Sequence, residues 1–312
     1  MAYQAKIILD SYSGSAATHT RLTTMQITYP RFVHAERLRH RAFSCSVASS
    51  RAIPIDKMID QVVKDPVMPV WWGKNQSGMQ AREELDDVHK YADIIANTAI
   101  TITHKEHAAR VWFDARLDAV RTVQKLQKIG LHKQIANRIL EPWMWVTEII
   151  SGTEWQNFFD LRCHVDAQPE LRFIAEMMKQ KLEQSQPQIL GATEWHLPFV
   201  TSYDEDELRK EGYPHNHQLA EISAGRCARV SYLTHEGIRE PSADIALANR
   251  LATAVPMHAS PFEHVAQAMS YWQTKEPIFV NASRNYGNSW MQLRAFKEKD
   301  IDAEYGKMQD SQ

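Results

Sequence analysis

The chain has few cysteines and glycines, and it has no long apolar run. Its 312 residues include 3 cysteines and 11 glycines. Cys45, Cys163 and Cys227 lie far apart and form no C-x-x-C pair, which argues against a disulfide framework or a structural zinc site. We therefore expect no metal, and a reducing, cytoplasmic environment.

Signals for export and for membrane insertion are also missing. The first residues, MAYQAKIILDSYSGS, contain no apolar core ahead of a cleavage-like site, so no signal peptide is expected. No segment approaches the roughly 20 apolar residues that a spanning helix needs. The net charge of −2 indicates neither a nucleic-acid-binding nor a membrane-binding surface overall.

What is present indicates a packed α+β protein. Hydrophobic residues make up 44% of the chain, and its length fits one large or two modest domains. Residues 22–30, LTTMQITYP, alternate as a half-buried strand does. Helical patterns outnumber strand patterns, which favours an α+β fold, with an antiparallel sheet surrounded by helices.

Further local expectations follow from turn residues and helical spacing. Pro30 suits the first turn of a helix over 30–42, and a loop should follow to Pro54. Residues 55–100 should hold short helices around a loop, and 185–218 a long connection with one acidic helix. The remaining helices are predicted at 104–129, 131–140, 152–164, 169–182 and 242–255.

The stretch RHRAFSCSVASSR, residues 39–51, is the first candidate site. One interpretation is a solvated basic helix face, which could also bind nucleic acid. Another is a Cys45 or Ser49 nucleophile, for which His40 is the one nearby base. A third is a pocket for a phosphate monoester, because hydroxyls, backbone N–H groups and guanidinium forks together suit a phosphate.

Two other segments gather polar side chains. Residues 157–170 contain Asn157 and, five positions later, Arg162, followed by further polar and charged residues. Residues 258–264, HASPFEH, have neither the spacing nor the continuous helix of a zinc motif, so a turn with a cofactor contact is the better functional interpretation. Each segment could equally be a structural turn or helix end.

Together these segments resemble the flavin-dependent thymidylate synthases. The signature of that family is R-H-R followed by seven residues and then a serine. Here Arg39, His40 and Arg41 are followed by seven residues and Ser49. The Asn157–Arg162 segment with Ala-Gln-x-Glu at 167–170 resembles a second signature, and ARVSY at 228–232 and PFEH at 261–264 resemble two more. Many members have these last two segments ahead of R-H-R, so the order resembles a circular permutation.

The resemblance implies one enzymatic unit in three parts. Residues 1–184 would carry the R-H-R and Asn/Arg signatures, 185–225 would connect, and 226–312 would correspond to the family's usual N-terminal part. The expected reaction converts dUMP to dTMP with methylenetetrahydrofolate, NADPH and FAD. A homotetramer with active sites shared between subunits is also implied.

Residue roles follow by resemblance. Arg162 is the expected catalytic residue, because a guanidinium can stabilise negative charge on an activated uracil ring. The residues expected to bind dUMP are Glu36, Arg39, Ala48, Ser49, Ser50, Arg51, Arg138 and Arg162. The residues expected to bind FAD are Arg39, His40, Arg41, Ser151, Thr153, Asn157, His258 and Ser260.

Val47 stands where many members have glutamate. This change keeps a rival reaction open, in which water captures the methylene intermediate and 5-hydroxymethyl-dUMP is formed. The rival from another class is an arginine-rich nucleic-acid-binding protein.

Overall fold

The computed structural model describes residues 3–14, 19–93, 98–210, 215–231 and 240–298. Its strands are β1 (Gln4–Ser13), β2 (Arg21–Pro30), β3 (Ser44–Val47), β4 (Val88–Asp93), β5 (Thr98–Thr103), β6 (Trp145–Gly152), β7 (Gln188–Leu190), β8 (Trp195–His196), β9 (Ala266–Ala268) and β10 (Trp290–Gln292). Its helices are α1 (His34–Arg37), α2 (Ile55–Lys64), α3 (His104–Lys128), α4 (Lys133–Ala136), α5 (Gln156–Arg162), α6 (Pro169–Gln184), α7 (Ser202–Lys210), α8 (His215–Val230), α9 (Pro241–Thr253), α10 (Pro277–Ala282) and α11 (Leu293–Lys297).

A five-stranded sheet forms the centre, in the order β3-β6-β2-β1-β7. Neighbouring strands are antiparallel, except that β7 runs parallel to β1. Helices α5 and α6 bury their apolar faces against one side of this sheet. The fold is therefore the α+β arrangement of antiparallel sheet and surrounding helices that the sequence predicts.

Strand β2 confirms the alternating pattern but is more deeply buried than the pattern indicates. Met25, Ile27 and Tyr29 lie in the core against α5 and α6. Thr24 and Thr28, on the opposite face, are buried as well. The reason is that the chain beyond residue 188, called the C-terminal part below, covers this second face. His196 is one of the residues that do so.

The C-terminal part is organised around helices α7, α8 and α9. Arg226 of α8 is buried and pairs with Asp204 of α7 and Asp244 of α9. A side chain at Gly225 would collide with the backbone carbonyl of Asp244, so glycine allows α8 and α9 to approach closely. This ion-paired group joins three helices, and each of its buried charges has an opposite charge beside it, as buried charges require.

Three local predictions differ from the structure. The helix predicted over 30–42 is limited to a 3-10 turn and α1, because the chain reverses after Arg37 to bring β3 beside β6. Part of the loop predicted over 44–54 is strand β3. The short helices predicted over 55–100 give way after α2 to the antiparallel pair β4 and β5.

Other helix predictions are confirmed with shifted ends. Helix α3 ends next to Gly130, whose φ of +82° favours glycine. The helix predicted over 131–140 is short, and a 3-10 turn at Asn137–Trp143 follows it, since Pro142 lacks the N–H that a continued helix needs. Among the described helices, none is both long and apolar enough to cross a membrane.

Candidate active site

The R-H-R segment forms the turn between α1 and β3. Arg39 and Arg41 are exposed, whereas His40 is partly buried between aromatic rings. The His40 ring lies 4.7 Å from the Phe43 ring and 5.4 Å from the Phe158 ring, centre to centre. A side chain at Gly152 would collide with Phe43, so the end of β6 is shaped to admit this ring. The turn thus presents two cations beside an aromatic wall.

Arg162 approaches this turn from the C-terminal end of α5. Its Nη2 donates to the backbone carbonyl of Glu36 over 3.5 Å. Burial, and then the positive charges of Arg162 and Arg37, lower the pKa of His40. The fold therefore brings Glu36, His40 and Arg162 together, although 126 residues separate the first from the last.

The predicted phosphate loop follows β3. The backbone N–H of Ala48 donates to Thr147 over 2.8 Å, and that of Ser49 donates to Ser231 over 3.1 Å. These N–H groups are therefore engaged within the chain, which differs from the expectation that Ala48 offers its N–H to a phosphate. Of the loop's side chains, Arg51 is exposed, Ser49 is partly exposed and Ser50 is buried.

Arg138 is placed close to this loop by its neighbour. Asn137 donates from Nδ2 to the backbone carbonyls of Ser50, over 2.7 Å, and of Ile53, over 3.0 Å. Arg138 itself is exposed and pairs with Glu141 at 2.6 Å. An exposed ion pair is weak, so the guanidinium can exchange this partner for a ligand phosphate at little cost.

The residues predicted to bind flavin occupy different environments. Asn157, His258 and Ser260 are exposed, so their side chains are accessible. Ser151 is fully buried, and its Oγ lies 2.6 Å from Thr24 Oγ1 and 2.8 Å from His264 Nδ1. The Ser151 hydroxyl is therefore engaged inside the protein, where it can support a cofactor site only indirectly.

Three predicted site residues carry a buried polar atom without a hydrogen-bond partner. These atoms are His40 Nε2, Thr153 Oγ1 and Arg162 Nε. Buried polar atoms are nearly always paired in native proteins, so atoms of this kind call for an explanation. A bound molecule with an aromatic part would pack on the wall beside His40, and its polar groups would meet the exposed Arg39 and Arg41. The residues present thus fit a flavin and a pyrimidine nucleotide.

A buried charge cluster behind the R-H-R turn was not anticipated from the sequence. Arg37 of α1 and Glu148 of β6 are both fully buried and form an ion pair. The Tyr29 hydroxyl donates to Glu148 over 2.7 Å and lies 2.7 Å from His34 Nδ1. The available signal was Glu148, a charged residue near Val146, Ile149 and Ile150 of β6.

This cluster bears on two interpretations of the basic stretch. Because Arg37 is buried and paired, residues 31–51 do not form one continuous solvated basic face. Burial, and then the charge of Glu148, raise the pKa of Cys45 to about 12. A thiol that stays protonated at neutral pH is a poor nucleophile, which argues against covalent catalysis by Cys45.

A chain of hydrogen bonds crosses the sheet on the side opposite α6. His264 Nε2 lies 2.9 Å from Ser46 Oγ on β3, and His264 Nδ1 reaches Ser151 on β6. Thr24 on β2 continues to His196 Nε2 over 2.9 Å, and His196 Nδ1 lies 2.8 Å from Ser11 Oγ on β1. These six residues are all buried, and the two histidines come from the C-terminal part.

Buried histidines predict a loss of stability in mild acid. Desolvation is the main cause that lowers the pKa values of His34, His196 and His264 to about 3. The unfolded chain binds protons on these residues below about pH 6.5, whereas the folded chain keeps them neutral. The contribution of these neutral histidines to the free energy of unfolding is fully present above pH 6.5 and is lost as the pH falls. The free energy of unfolding should drop by about 1.4 kcal/mol per pH unit for each histidine.

Urea unfolding between pH 6.5 and 4.5 measures this dependence. Replacing His264 with glutamine, which does not titrate, should reduce the pH slope by about one histidine's share. An identical slope in the two proteins would show that His264 is already protonated in the folded state.

The fold and the site together define a class: an α+β protein with arginines, a histidine and hydroxyls grouped beside the edge of a mainly antiparallel sheet. A sequence model described as thymidylate synthase complementing protein matches residues 4–188. The chain belongs to this family. The match spans β1 to the start of β7, so the segments at 226–232 and 258–264 lie outside it.

Solved structures add a distant likeness. One is a UMP/dUMP methylase PolB from Streptomyces cacaoi bound with 5-Br UMP, with 16% identity over 59% of this chain and 89% of that chain. Its TM-score of 0.42 is low, so the likeness carries no weight for the function. No curated protein sequence matches the chain.

Proposed function

We propose that this protein is a flavin-dependent thymidylate synthase, which methylates dUMP reductively to dTMP with methylenetetrahydrofolate and NADPH. Membership of the thymidylate synthase complementing protein family supports this proposal. The observation that carries it within the site is Arg162, whose buried Nε has no partner and which lies beside Glu36 and His40.

Arg162 has the central chemical role in this proposal. C5 of uracil is a weak nucleophile, and negative charge drawn onto N3 and the ring oxygens activates it. A guanidinium held in a partly buried position stabilises that charge more strongly than water does. Glu36 and Arg39 contact the nucleotide, while Ser49, Arg51 and Arg138 hold its phosphate, supported by Ala48 and Ser50 of the same loop.

FAD supplies the hydride when it is bound. Arg39, His40 and Arg41 would hold it, together with Thr153, Asn157, His258 and Ser260, and the ring of Phe43 backs His40.

The proposal extends to assembly and location. We propose a single unit of three segments, 1–184, 185–225 and 226–312, that works in the cytoplasm as a homotetramer. Arg39, Arg41 and Arg51 are exposed in one chain, as expected if subunits share active sites. Mass photometry tests the assembly directly: a species of four chains is expected, and a monomer at working concentration would contradict it.

The bound cofactor gives the first test of the function. The purified protein should be yellow, release FAD on denaturation, lose its colour with NADPH, and regain it when dUMP and methylenetetrahydrofolate are added. A protein that is colourless, takes up no added FAD and binds DNA would support the nucleic-acid-binding alternative instead.

Ser49→Ala should mainly weaken dUMP binding. Loss of one hydrogen bond to a charged phosphate costs about 1.5–3 kcal/mol, which corresponds to a rise in KM of about 10- to 100-fold. The kcat should change little, because the phosphate contact is the same in the ground state and the transition state. Steady-state kinetics with varied dUMP measure both constants.

Thr122→Ala is the matched control, because the exposed Thr122 hydroxyl donates to the carbonyl of Asp118 in its own helix. This variant should retain the normal KM. Loss of all turnover by Ser49→Ala at saturating dUMP would instead revive a nucleophilic role for Ser49.

A further inference from the structure

Strand β3 has little support of its own within the sheet. It contains four residues, and within the described sheet it lies at the edge with β6 as its one neighbour. It nevertheless joins the two halves of the candidate site, with the R-H-R turn before it and Ser49 after it. A short edge strand needs additional contacts to hold a fixed position.

Residues of the C-terminal part supply such contacts at alternate positions. Asn285 donates from Nδ2 to the carbonyl of Ala42 over 2.9 Å. Gln292 donates from Nε2 to the hydroxyl of Ser44 over 3.3 Å. Ser44 and Ser46 of β3 share one face of the strand, and the carbonyl of Ala42 lies in the turn just before it, so the contacts reach both the strand and its entry.

Two more contacts complete the series. His264 binds the Ser46 hydroxyl, and the carbonyl of Ser231 accepts the N–H of Ser49. Ser231, His264, Asn285 and Gln292 are called the β3 clamp below. All four lie beyond residue 188, where the match to the family model ends.

We propose that the β3 clamp positions the nucleotide-binding stretch, so that the C-terminal part determines affinity for dUMP without contacting the nucleotide itself. This inference rests on the proposed function. His264 is the central positioning residue, because it is fully buried and joins Ser46 on β3 to Ser151 on β6. Shifting β3 relative to β6 would move Ser49 and Arg51 away from Arg138.

Two amide substitutions at His264 separate positioning from general stability. The amide of glutamine can reach the place of Nε2, so His264→Gln keeps the link to Ser46. The shorter asparagine reaches the place of Nδ1, so His264→Asn keeps the link to Ser151 and releases β3. Each variant loses one buried hydrogen bond, so similar losses of thermal stability are expected.

The kinetic effect should differ between the two variants. His264→Asn should raise the KM for dUMP about tenfold with little change in kcat, and His264→Gln should stay within about twofold of the wild type. Adding Ser46→Ala to His264→Asn should cause no further rise in the KM for dUMP, since the hydrogen bond between residue 264 and Ser46 is already lost. Asn285→Ala, at a partly exposed position, should raise KM in the same direction and serves if the His264 variants fail to fold.

Hydrogen exchange separates failure of the clamp from failure of the proposed function. Amides of residues 42–49 should exchange faster in His264→Asn than in His264→Gln, whether or not the protein acts on dUMP. A wild type that makes no dTMP would refute the function, and the exchange rates would still decide the clamp. Equal exchange rates in the two variants, or equal KM values in an active enzyme, would overturn the clamp and leave His264 a structural residue.

Discussion

Arg162→Ala should lower the rate of dTMP formation by about 100- to 1000-fold while the protein still binds FAD. The guanidinium stabilises charge that develops on the pyrimidine ring, so its loss should appear in kcat as well as in kcat/KM. His40, whose pKa Arg162 helps to lower, would lose a nearby positive charge at the same time. Single-turnover kinetics at saturating dUMP measure the step directly.

Two further variants make this test specific. Arg162→Lys retains the charge but lacks the planar fork, so it should recover only part of the rate. Arg209→Ala removes an exposed arginine from α7 and should leave the rate unchanged. If Arg162→Ala forms dTMP at the wild-type rate, the catalytic role assigned to this residue is wrong.

The largest expected effect on stability comes from the Arg37–Glu148 pair. Arg37→Met should lower the free energy of unfolding by about 3–5 kcal/mol, because Glu148 would remain buried without its partner. Tyr29 would still donate to Glu148 but cannot balance its charge. Urea unfolding at pH 7, followed by tryptophan fluorescence, measures the change.

A double variant and a surface pair serve as controls. Arg37→Met combined with Glu148→Leu removes both charges and should recover most of the lost stability, since an apolar pair needs no charge compensation. Lys64→Met breaks an exposed pair with Asp60 and should change the stability by less than about 1 kcal/mol. An effect of Arg37→Met as small as that of Lys64→Met would contradict the assigned role of the pair.

Patterns with local causes could be predicted from the sequence. Strand β2 follows from its alternation, and α3 and α6 follow from helical spacing and their end signals. The R-H-R and Asn/Arg segments were found as candidate sites, and the structure brings Glu36, His40 and Arg162 together. The strand, the helices and the two segments depend on short-range spacing, which a single sequence retains, whereas the meeting of Glu36 with Arg162 across 126 residues is a result of the fold.

Features with distant partners could not be predicted in the same way. Strand β6 contains Glu148, and its partner Arg37 lies 111 residues away. Strand β3 reads as a polar loop, because Ser44 and Ser46 are satisfied by residues more than 200 positions later. The role of His264 could not be predicted, since the segment HASPFEH does not show which of its histidines is buried against β3 and β6.

The proposed reaction is tested most directly by the mass of the product formed from dUMP, methylenetetrahydrofolate and NADPH. The account predicts dTMP, heavier than dUMP by one CH₂ group. A product heavier than dTMP by one oxygen would instead identify a dUMP hydroxymethylase at the same site. Unchanged dUMP, with FAD and all substrates present, would contradict the account altogether.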